Sequence, residues 1–359
     1  MVGPATTGMS EAVWSAQATT PDAVDDALRA LLKDRHAANH AFAPARVLNL
    51  VVIADREWRG EIVNRLERVG RHHPSRTVLC LVEPQRRTLD ARVAVSAPEA
   101  ASADAIALGT EHVELDIGPT HFEHLGTVVD PLLITDLATV LWAPHGHDLC
   151  IESLRGIGQV VLLDSVDLAS VEEALERAHR LSADLHVVDL AWLRSTPWRE
   201  RIAMSFDPPR LRPELGRITS VAIRHHPDSA VAGLLLVGWL SSRLGWAPGA
   251  MVRRHDSLFG RARGARQDVA VRLDPDPTLQ APGLAGITLE TASALSLSLD
   301  RGPGGLHAVR RTRDGRETAW IVMGASRGED GILGEGIREA LLRDRTYGPA
   351  LACARRMVG

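Results

Sequence analysis

The chain has 359 residues, of which 45% are apolar and 24% are charged, a composition typical of a globular protein with about two domains. Its formal net charge of −4 argues against nucleic-acid binding, and the longest apolar stretch, at 230–240, is shorter than the roughly 20 residues that span a membrane. Cys80, Cys150 and Cys353 show no CxxC spacing, which indicates neither a disulfide framework nor a zinc site. The N-terminus lacks a basic segment followed by an apolar one, so we expect no signal peptide and a reducing, cytoplasmic location.

The first part of the chain predicts a helix followed by a buried parallel sheet. Residues 1–19 are small, polar and aperiodic, and we predict a disordered tail there. Thr20 can cap a helix that begins at Pro21. Short apolar runs at 47–53 and 77–82 are typical of strands that are buried on both faces of a parallel sheet, and an amphipathic helical pattern lies between them.

The alternation of strand and helix patterns continues to about residue 206. Ser170 and Glu173 form a capping box at the start of a further helix. Additional strands are predicted at 140–142, 160–163 and 185–188, and an extra hairpin or edge at 90–96 and 111–117. Strands separated by helices indicate right-handed βαβ units, so the predicted fold class is α/β, with a Rossmann-like, mostly parallel sheet in an N-terminal domain over 20–206.

A proline-rich segment at 207–216 interrupts this pattern. Proline removes a backbone donor and restricts the residue before it, so we predict a linker without regular structure there. The patterns that follow are a strand at 218–223, an apolar helix at 229–244, short alternating runs between 268 and 322, and a helix at 330–342. This order indicates a smaller α+β C-terminal domain over 217–359.

A histidine-rich loop is the first candidate site. His145, His147 and Asp148 follow the strand that ends at Trp142, and open α/β sheets place ligands at the ends of such strands. These side chains could bind an anion or begin a metal site, but no second cluster of His and Asp residues completes a metal site. We therefore predict no metal, and a loop stabilised by its own hydrogen bonds is the simpler interpretation.

Two other segments could bind an anion. His73, Ser75 and Arg76 connect a helix to a strand and could hold a phosphate-like group, although no GxSxG elbow marks Ser75 as a nucleophile. The glycine-rich segment at 324–331 lacks the GxxxxGK[ST] and GxGxxG patterns, and its two acidic residues would repel phosphate, so a self-capped turn is favoured. The sequence shows no catalytic constellation and no fingerprint of a cofactor.

Arginines and tryptophans are the candidates for contact with a partner protein. Trp192 and Trp198 flank a turn of predicted helix, where they would belong to the core or, if exposed, would anchor an interface. A segment with little apolar content is either a solvated mobile loop or a docking surface for an acidic partner or a sugar phosphate. Its five arginines are Arg253, Arg254, Arg261, Arg263 and Arg266.

Several segments together resemble a known family. They are ARVLNLVV at 45–52, HPSRT at 73–77, VDPL at 129–132, PHGHD at 144–148, VLLDS at 161–165, DLAWLR at 189–194, PWRER at 197–201, FDPP at 206–209 and GWLSSRLGW at 238–246. These segments resemble the OpcA family of assembly and activator proteins of glucose-6-phosphate dehydrogenase, in its actinobacterial form. The resemblance covers most of 45–250 and is looser beyond.

The resemblance implies a non-catalytic cytoplasmic protein. Such a protein would bind glucose-6-phosphate dehydrogenase, promote its assembly and allosteric activation, and raise flux into the oxidative pentose phosphate pathway. Two alternatives stay open at this point. One is a metal-dependent sugar-phosphate or phosphoester hydrolase that uses His145, His147 and Asp148, and the other is a sensor that binds a sugar phosphate.

Overall fold

The computed structural model describes residues 9–70, 72–98, 107–168, 170–323, 329–340 and 342–359. The chain forms two compact units. The first runs to Leu163 and includes Asp184–Val187, and the second comprises Asp164–Ala183 and Val188–Gly359.

The elements of the first unit, with the helix and strand that follow it, are β1 (Met9–Ala16), α1 (Pro21–Ala38), β2 (Phe42–Pro44), β3 (Leu48–Asp55), α2 (Arg59–Gly70), β4 (Ser75–Val82), β5 (Asp90–Pro98), β6 (Ala107–Ile117), α3 (Pro119–Phe122), α4 (Leu125–Val129), β7 (Thr139–Trp142), α5 (Asp148–Leu154), β8 (Val160–Leu163), α6 (Val171–Leu181) and β9 (His186–Asp189). The strands form one sheet in the order β1-β5-β6-β4-β3-β7-β8-β9, with β2 paired to β6. β3 is parallel to both β4 and β7, while β6 is parallel to β4 and β8 to β7.

This arrangement confirms the predicted Rossmann-like sheet. If the antiparallel β5 is left out, the strands from β3 onward lie in the order 3-2-1-4-5-6 of a doubly wound sheet. Every residue of β3 before Asp55 is buried, as is every residue of β4 after Ser75, because helices cover both faces of such a sheet. β5 and β6 form the predicted extra antiparallel pair, and β6 also continues the sheet through β4.

The N-terminal segment differs from the sequence-based expectation. Residues 9–16, which were predicted to belong to a disordered tail, form strand β1 and pair with β5 from Met9 opposite Pro98 to Ala16 opposite Ala91. The partner strand lies far away in sequence and supplies the backbone hydrogen bonds, so a local pattern of small polar residues could not reveal it. Residues 1–8 lie outside the described residues.

The second unit continues with α7 (Leu190–Arg194), α8 (Thr196–Phe206), α9 (Arg212–Leu215), β10 (Ile218–His225), α10 (Ala230–Leu244), β11 (Ala247–Pro248), β12 (Val252–Arg254), β13 (Ser257–Arg263), β14 (Asp268–Pro275), β15 (Leu284–Thr291), β16 (Ser296–Gly302), β17 (Gly305–Arg311), β18 (Glu317–Met323), α11 (Glu329–Ala340) and α12 (Tyr347–Val358). Its sheet has the order β11-β13-β14-β10-β15-β16-β17-β18, with β12 paired to β13. α10 packs on β10 and β14, and α12 packs on α10.

The division between the units falls upstream of the predicted linker. α6 packs against α10 and α12, and so it belongs to the second unit although it precedes β9 in the chain. The second unit is therefore the larger one, not the smaller one expected from the sequence. The segment at 207–216 lies inside this unit, and it contains the short helix α9 with Pro213 in its first turn, where a missing backbone donor costs nothing.

The helices of the second unit match their predicted positions. α10 occupies 230–244 within the predicted 229–244, and it ends at Gly245, whose φ of +68° is the left-handed conformation that favours glycine. α11 lies within the predicted 330–342 except for its first residue, whereas most of the glycine-rich segment at 324–331 lies outside the described residues. Among the described helices, none combines the length and apolar character needed to cross a bilayer.

Candidate functional site

The ligand crevice of a doubly wound sheet lies where the strand order reverses, which in this chain is between β3 and β7. In dinucleotide-binding proteins the turn after the first strand is rich in glycine, so that the backbone approaches the pyrophosphate closely. The corresponding turn here carries the side chains of Asp55, Arg56, Glu57 and Trp58 before α2 begins. The turn therefore lacks the open backbone that a dinucleotide needs.

Charged side chains at the ends of β3, β4 and β6, beside this crevice, pair with one another. The Nε of Arg56 lies 3.1 Å from Glu83, which directly follows β4, and Arg56 also pairs with Asp116. Arg86 donates three further hydrogen bonds to Glu83, at 3.2 Å from Nε and at 3.1 and 3.0 Å from Nη2. An acidic residue in this region binds the ribose in dinucleotide-binding proteins, but here the carboxylate of Glu83 already has two arginine partners. These residues do not fit a dinucleotide.

The histidine loop faces the same crevice. His147 Nε2 lies 3.2 Å from Asp55 Oδ1, and His145 Nδ1 lies 3.5 Å from Asp55 Oδ2. Gly146 has a φ of +92° and His147 a φ of +49°, so two consecutive left-handed residues turn the His147 ring back toward Asp55. Asp148 is exposed at the start of α5 and is not part of this cluster. The carboxylate that lies beside the two histidines is thus Asp55 and not Asp148, which the sequence had suggested.

The cluster is a weak candidate for a metal site. The three ligand atoms of Asp55, His145 and His147 lie within 4.8 Å of one another. However, the backbone N–H of Asp55 donates to His145 Nδ1 at 3.2 Å, which occupies the lone pair that a metal would need. Burial holds the pKa of His147 below its usual value, although the charge of Asp55 opposes that shift. The arrangement fits a His–Asp pair that orders the loop.

The predicted anion-binding segment at 73–76 is mainly structural. Arg76 is buried and donates from Nε to Glu111 at 2.8 Å and from Nη1 to the carbonyl of Leu132 at 3.2 Å. Glu111 also accepts a hydrogen bond of 2.9 Å from the Nε of Arg46, so one buried carboxylate connects two arginines. This network corrects the interpretation of Arg76 as an anion ligand, because its guanidinium is neutralised within the fold.

Ser75 and His73 also have roles within the fold. The Ser75 hydroxyl forms a hydrogen bond of 3.0 Å with the hydroxyl of Thr77. The backbone N–H of His73 donates to the carbonyl of Val69 at 2.9 Å and so closes the end of α2. Neither contact forms an anion-binding site at this position.

Trp192 belongs to the core of the second unit. It is 2% exposed, the guanidinium of Arg199 lies 3.5 Å above its ring, and its Nε1 donates to Asp344 at 2.8 Å. The Tyr347 ring meets it edge-on at a centroid distance of 5.5 Å. Trp198 is equally buried. Of the two alternatives for these tryptophans, the core position is therefore the one observed, and neither ring is exposed as an interface anchor.

A buried carboxylate that sequence reasoning missed organises this core. Asp189, at the end of β9, accepts hydrogen bonds from the Ser165 hydroxyl at 2.6 Å, the Ser165 N–H at 3.2 Å, the Ala191 N–H at 2.9 Å and the Tyr347 hydroxyl at 3.1 Å. Burial raises its pKa, whereas these four donors stabilise its charged form. The available signal was an aspartate placed between an apolar strand and a helix, which is the position of a helix cap.

In the segment at 253–266, Arg254, Arg261 and Arg263 lie on one outward face of the β12–β13 hairpin, called here the arginine surface, whereas Arg253 lies opposite buried Leu258 on the other face and Arg266 lies in the turn after β13. The segment is not the mobile loop considered above, because most of it consists of β12 and β13. All five side chains are exposed, and none has a carboxylate within ion-pair distance among the residues that the structure describes. Arg254 also lies over the ring of Phe259 at 5.7 Å. The result is a patch of uncompensated positive charge on a rigid hairpin.

The arginine surface continues onto an uncovered sheet face. Burial alternates along β14, where Val269, Val271 and Leu273 face the helices and Ala270 and Arg272 face outward. Across the neighbouring strands, the outward row next to Arg272 consists of small residues in register, namely Ala222, Thr288 and Ser298. Small side chains leave this face flat, a shape suited to contact with another protein surface.

The fold and this site define a class of protein. One unit is a doubly wound α/β sheet whose charged side chains beside the crevice pair with one another, and the other is a helix-backed sheet with arginines on its outer face. The sequence profile of the "Glucose-6-phosphate dehydrogenase subunit N-terminal domain" matches residues 66–180, and that of the corresponding "C-terminal domain" matches residues 185–351. The chain belongs to this family, the OpcA family, and the two matches divide near the boundary between the compact units.

Curated relatives carry the same family name. The "Putative OxPP cycle protein OpcA" of Synechococcus elongatus is 27% identical over 201 residues, which are 55% of this chain and 45% of that protein. The protein of the same name from Nostoc punctiforme is 32% identical over 142 residues, or 38% of this chain and 30% of that protein. The matched region thus spans less than half the length of these relatives.

Solved structures with a similar chain path are oxidoreductases. An oxidoreductase from Sinorhizobium meliloti aligns with a TM-score of 0.49 at 10% identity, over 86% of this chain and 95% of that one. The UDP-N-acetylglucosamine 3-dehydrogenase GnnA from Acidithiobacillus ferrooxidans aligns with a TM-score of 0.44 at 11% identity, over 86% and 93% of the two chains.

Proposed function

We propose that this chain binds glucose-6-phosphate dehydrogenase in the cytoplasm, promotes its assembly and activates it, without catalysing a reaction itself. The observation that carries the proposal is the family match, whose two domains cover residues 66–180 and 185–351 and are both described as those of a subunit of that dehydrogenase. The crevice supports the non-catalytic part, because the side chains at the ends of β3 and β4 are neutralised by one another.

The arginine surface is the proposed contact with the dehydrogenase. Three exposed guanidinium groups on one face, without carboxylate partners among the described residues, favour an acidic patch on the partner, because arginine forms two parallel hydrogen bonds to a carboxylate. The β12–β13 hairpin holds these groups in fixed positions, and therefore binding costs less conformational entropy than a mobile loop would require. The flat row of small residues beside them extends the contact area.

Activation follows if the chain binds the active form of the enzyme more tightly than the inactive form. A partner shifts a conformational or assembly equilibrium only by its difference in affinity for the two states. A coupling free energy of about 1–3 kcal/mol would change the apparent affinity for substrate roughly 5- to 150-fold. The same coupling requires that substrate tightens the complex by the same factor.

The test measures the initial rate of the dehydrogenase from the same organism over a range of substrate concentrations, with and without this chain. We expect a saturable increase in rate or a decrease in the apparent substrate constant, together with co-elution in size-exclusion chromatography. No rate change and no co-elution at concentrations well above about micromolar would reject the proposal.

Charge reversal locates the contact. The double variant Arg261→Glu and Arg263→Glu should weaken the complex by roughly tenfold or more, and its remaining affinity should fall less steeply with salt than that of the native chain. The matched control is Arg313→Glu with Arg316→Glu, two exposed arginines in the turn between β17 and β18. Equal losses in the two double variants would reject the arginine surface as the contact while leaving partner binding itself intact.

A further inference from the structure

A cleft in the second unit has the size of a small-molecule site. Its volume is about 820 Å³, within the range of roughly 300–1,000 Å³ typical of ligand pockets. The walls come from the first turns of α8, the loop at 280–282, the turn between β16 and β17, and α11. Leu306 and Ile332 contribute apolar surface to the lining, and Gly302 and Gly305 expose backbone to the interior.

One charged side chain in this cleft lies on the face of its strand that otherwise carries buried leucines. Leu297 and Leu299 of β16 are buried on the helix-covered face of the sheet, and Arg301 is the next residue on the same face. Among the described residues Arg301 has no carboxylate or hydrogen-bond partner, and burial alone lowers its pKa. A half-buried cation without a counter-ion costs stability unless a ligand neutralises it.

The other arginines of the cleft divide into two groups. Arg194 pairs with Asp164 at 2.6 Å, and Arg199 pairs with Asp344 at 3.3 Å. Arg201 lines the cleft as well, and its buried Nε has no partner among the described residues. Arg201 donates from Nη1 to the sulfur of Met204 at 3.1 Å, so among the described residues both Arg201 and Arg301 carry positive charge without a carboxylate partner.

Carboxylates line a different part of the same cleft. Glu335 and Glu339 extend from α11, where Arg338 pairs with both of them, and exposed Glu200 lies on α8. Carboxylate oxygens accept hydrogen bonds from hydroxyl groups but repel phosphate, so they favour an uncharged, hydroxylated portion of a ligand. A ligand that satisfies both parts of the cleft carries a phosphate at one end and hydroxyl groups at the other.

We propose that this cleft binds a small sugar phosphate, with the phosphate on Arg301 and the hydroxyl groups near the α11 carboxylates. The site is separate from the arginine surface, and the proposal does not depend on binding to the dehydrogenase. It adds a second function, since a bound metabolite would stabilise the second unit in proportion to its concentration.

Titration calorimetry of the full chain alone tests the proposal. The probes are glucose 6-phosphate, ribulose 5-phosphate and glycerol 3-phosphate, with glucose and inorganic phosphate as truncated comparisons. We expect at least one sugar phosphate to bind, at least tenfold more tightly than glucose or inorganic phosphate. No binding of any phosphorylated probe at up to about 10 mM, or equal affinity for inorganic phosphate, would overturn the proposal.

The Arg301→Gln variant separates a ligand-binding role from a structural role. If Arg301 is a phosphate ligand, binding should weaken by at least about tenfold while the thermal midpoint of the apo protein stays equal or rises, because an unpaired buried charge has been removed. Arg301→Lys should retain part of the affinity, and the exposed control Arg313→Gln should retain all of it. Unchanged binding in Arg301→Gln would overturn the assignment of the phosphate to this residue.

Discussion

Replacing Gly238 with alanine tests the packing of α10 against α12. In an isolated helix this change would stabilise by about 1 kcal/mol, because glycine is the poorer helix former. In the folded chain, however, a Cβ on Gly238 would lie 2.2 Å from the carbonyl oxygen of Ala350 and 3.1 Å from the amide nitrogen of Ala354. Both are backbone atoms of α12 and cannot rotate away, as the end of a side chain could.

The magnitude follows from this distance. An ordinary contact of this kind is about 3.4 Å or longer, so the two helices would have to separate by roughly 1 Å. α10 is buried on almost every side, and its separation from α12 would loosen the packing of the second unit. Overpacking in a core costs about 1–3 kcal/mol, which exceeds the gain in helix propensity, and we expect a net loss of about 2 kcal/mol.

The assay is chemical denaturation followed by circular dichroism, with Gly60→Ala as the matched control. Gly60 lies in α2, and a Cβ there would have no other heavy atom within 4 Å. The control should therefore gain up to about 1 kcal/mol, so the two identical substitutions should have opposite signs. A stabilised Gly238→Ala variant would show that close contact between α10 and α12 does not limit this position.

Three further predictions concern the polar core and acid stability. Glu111→Gln leaves two arginines without their shared carboxylate and should lower the free energy of unfolding by about 3 kcal/mol in urea titrations, and a loss below about 1 kcal/mol would contradict a buried network. Tyr347→Phe removes one of four donors to the carboxylate at the end of β9 and should cost about 1 kcal/mol, measurable as a lower thermal midpoint. Burial alone would raise the pKa of Glu114, but the neighbouring His112 and the two hydrogen bonds from Arg59 lower it to about 2. Its contribution is complete above the unfolded pKa near 4.5 and disappears as pH falls toward 2, so Glu114→Gln should flatten the loss of stability in that range.

Local sequence patterns determined the secondary structure of the parallel sheet and its helices. The apolar runs that became β3 and β4 are buried on both faces, and only a sheet covered by helices on both sides accommodates such runs. The caps at Thr20 and Ser170 function as predicted, since each side chain accepts a hydrogen bond from the residue three positions later. Family membership also follows from the sequence, because it depends on residues in order along the chain.

The tertiary structure alone decided which side chains meet and which are exposed. Asp55 joins His145 and His147 across about 90 residues, and Asp189 receives the hydroxyl of Tyr347 across 158 residues. The same folding buried Trp192 and neutralised Arg76, whereas it left the arginine surface without internal partners. The physical reason is that caps and periodicity act within a few residues, whereas burial and ion pairing depend on the elements that pack together from distant parts of the chain.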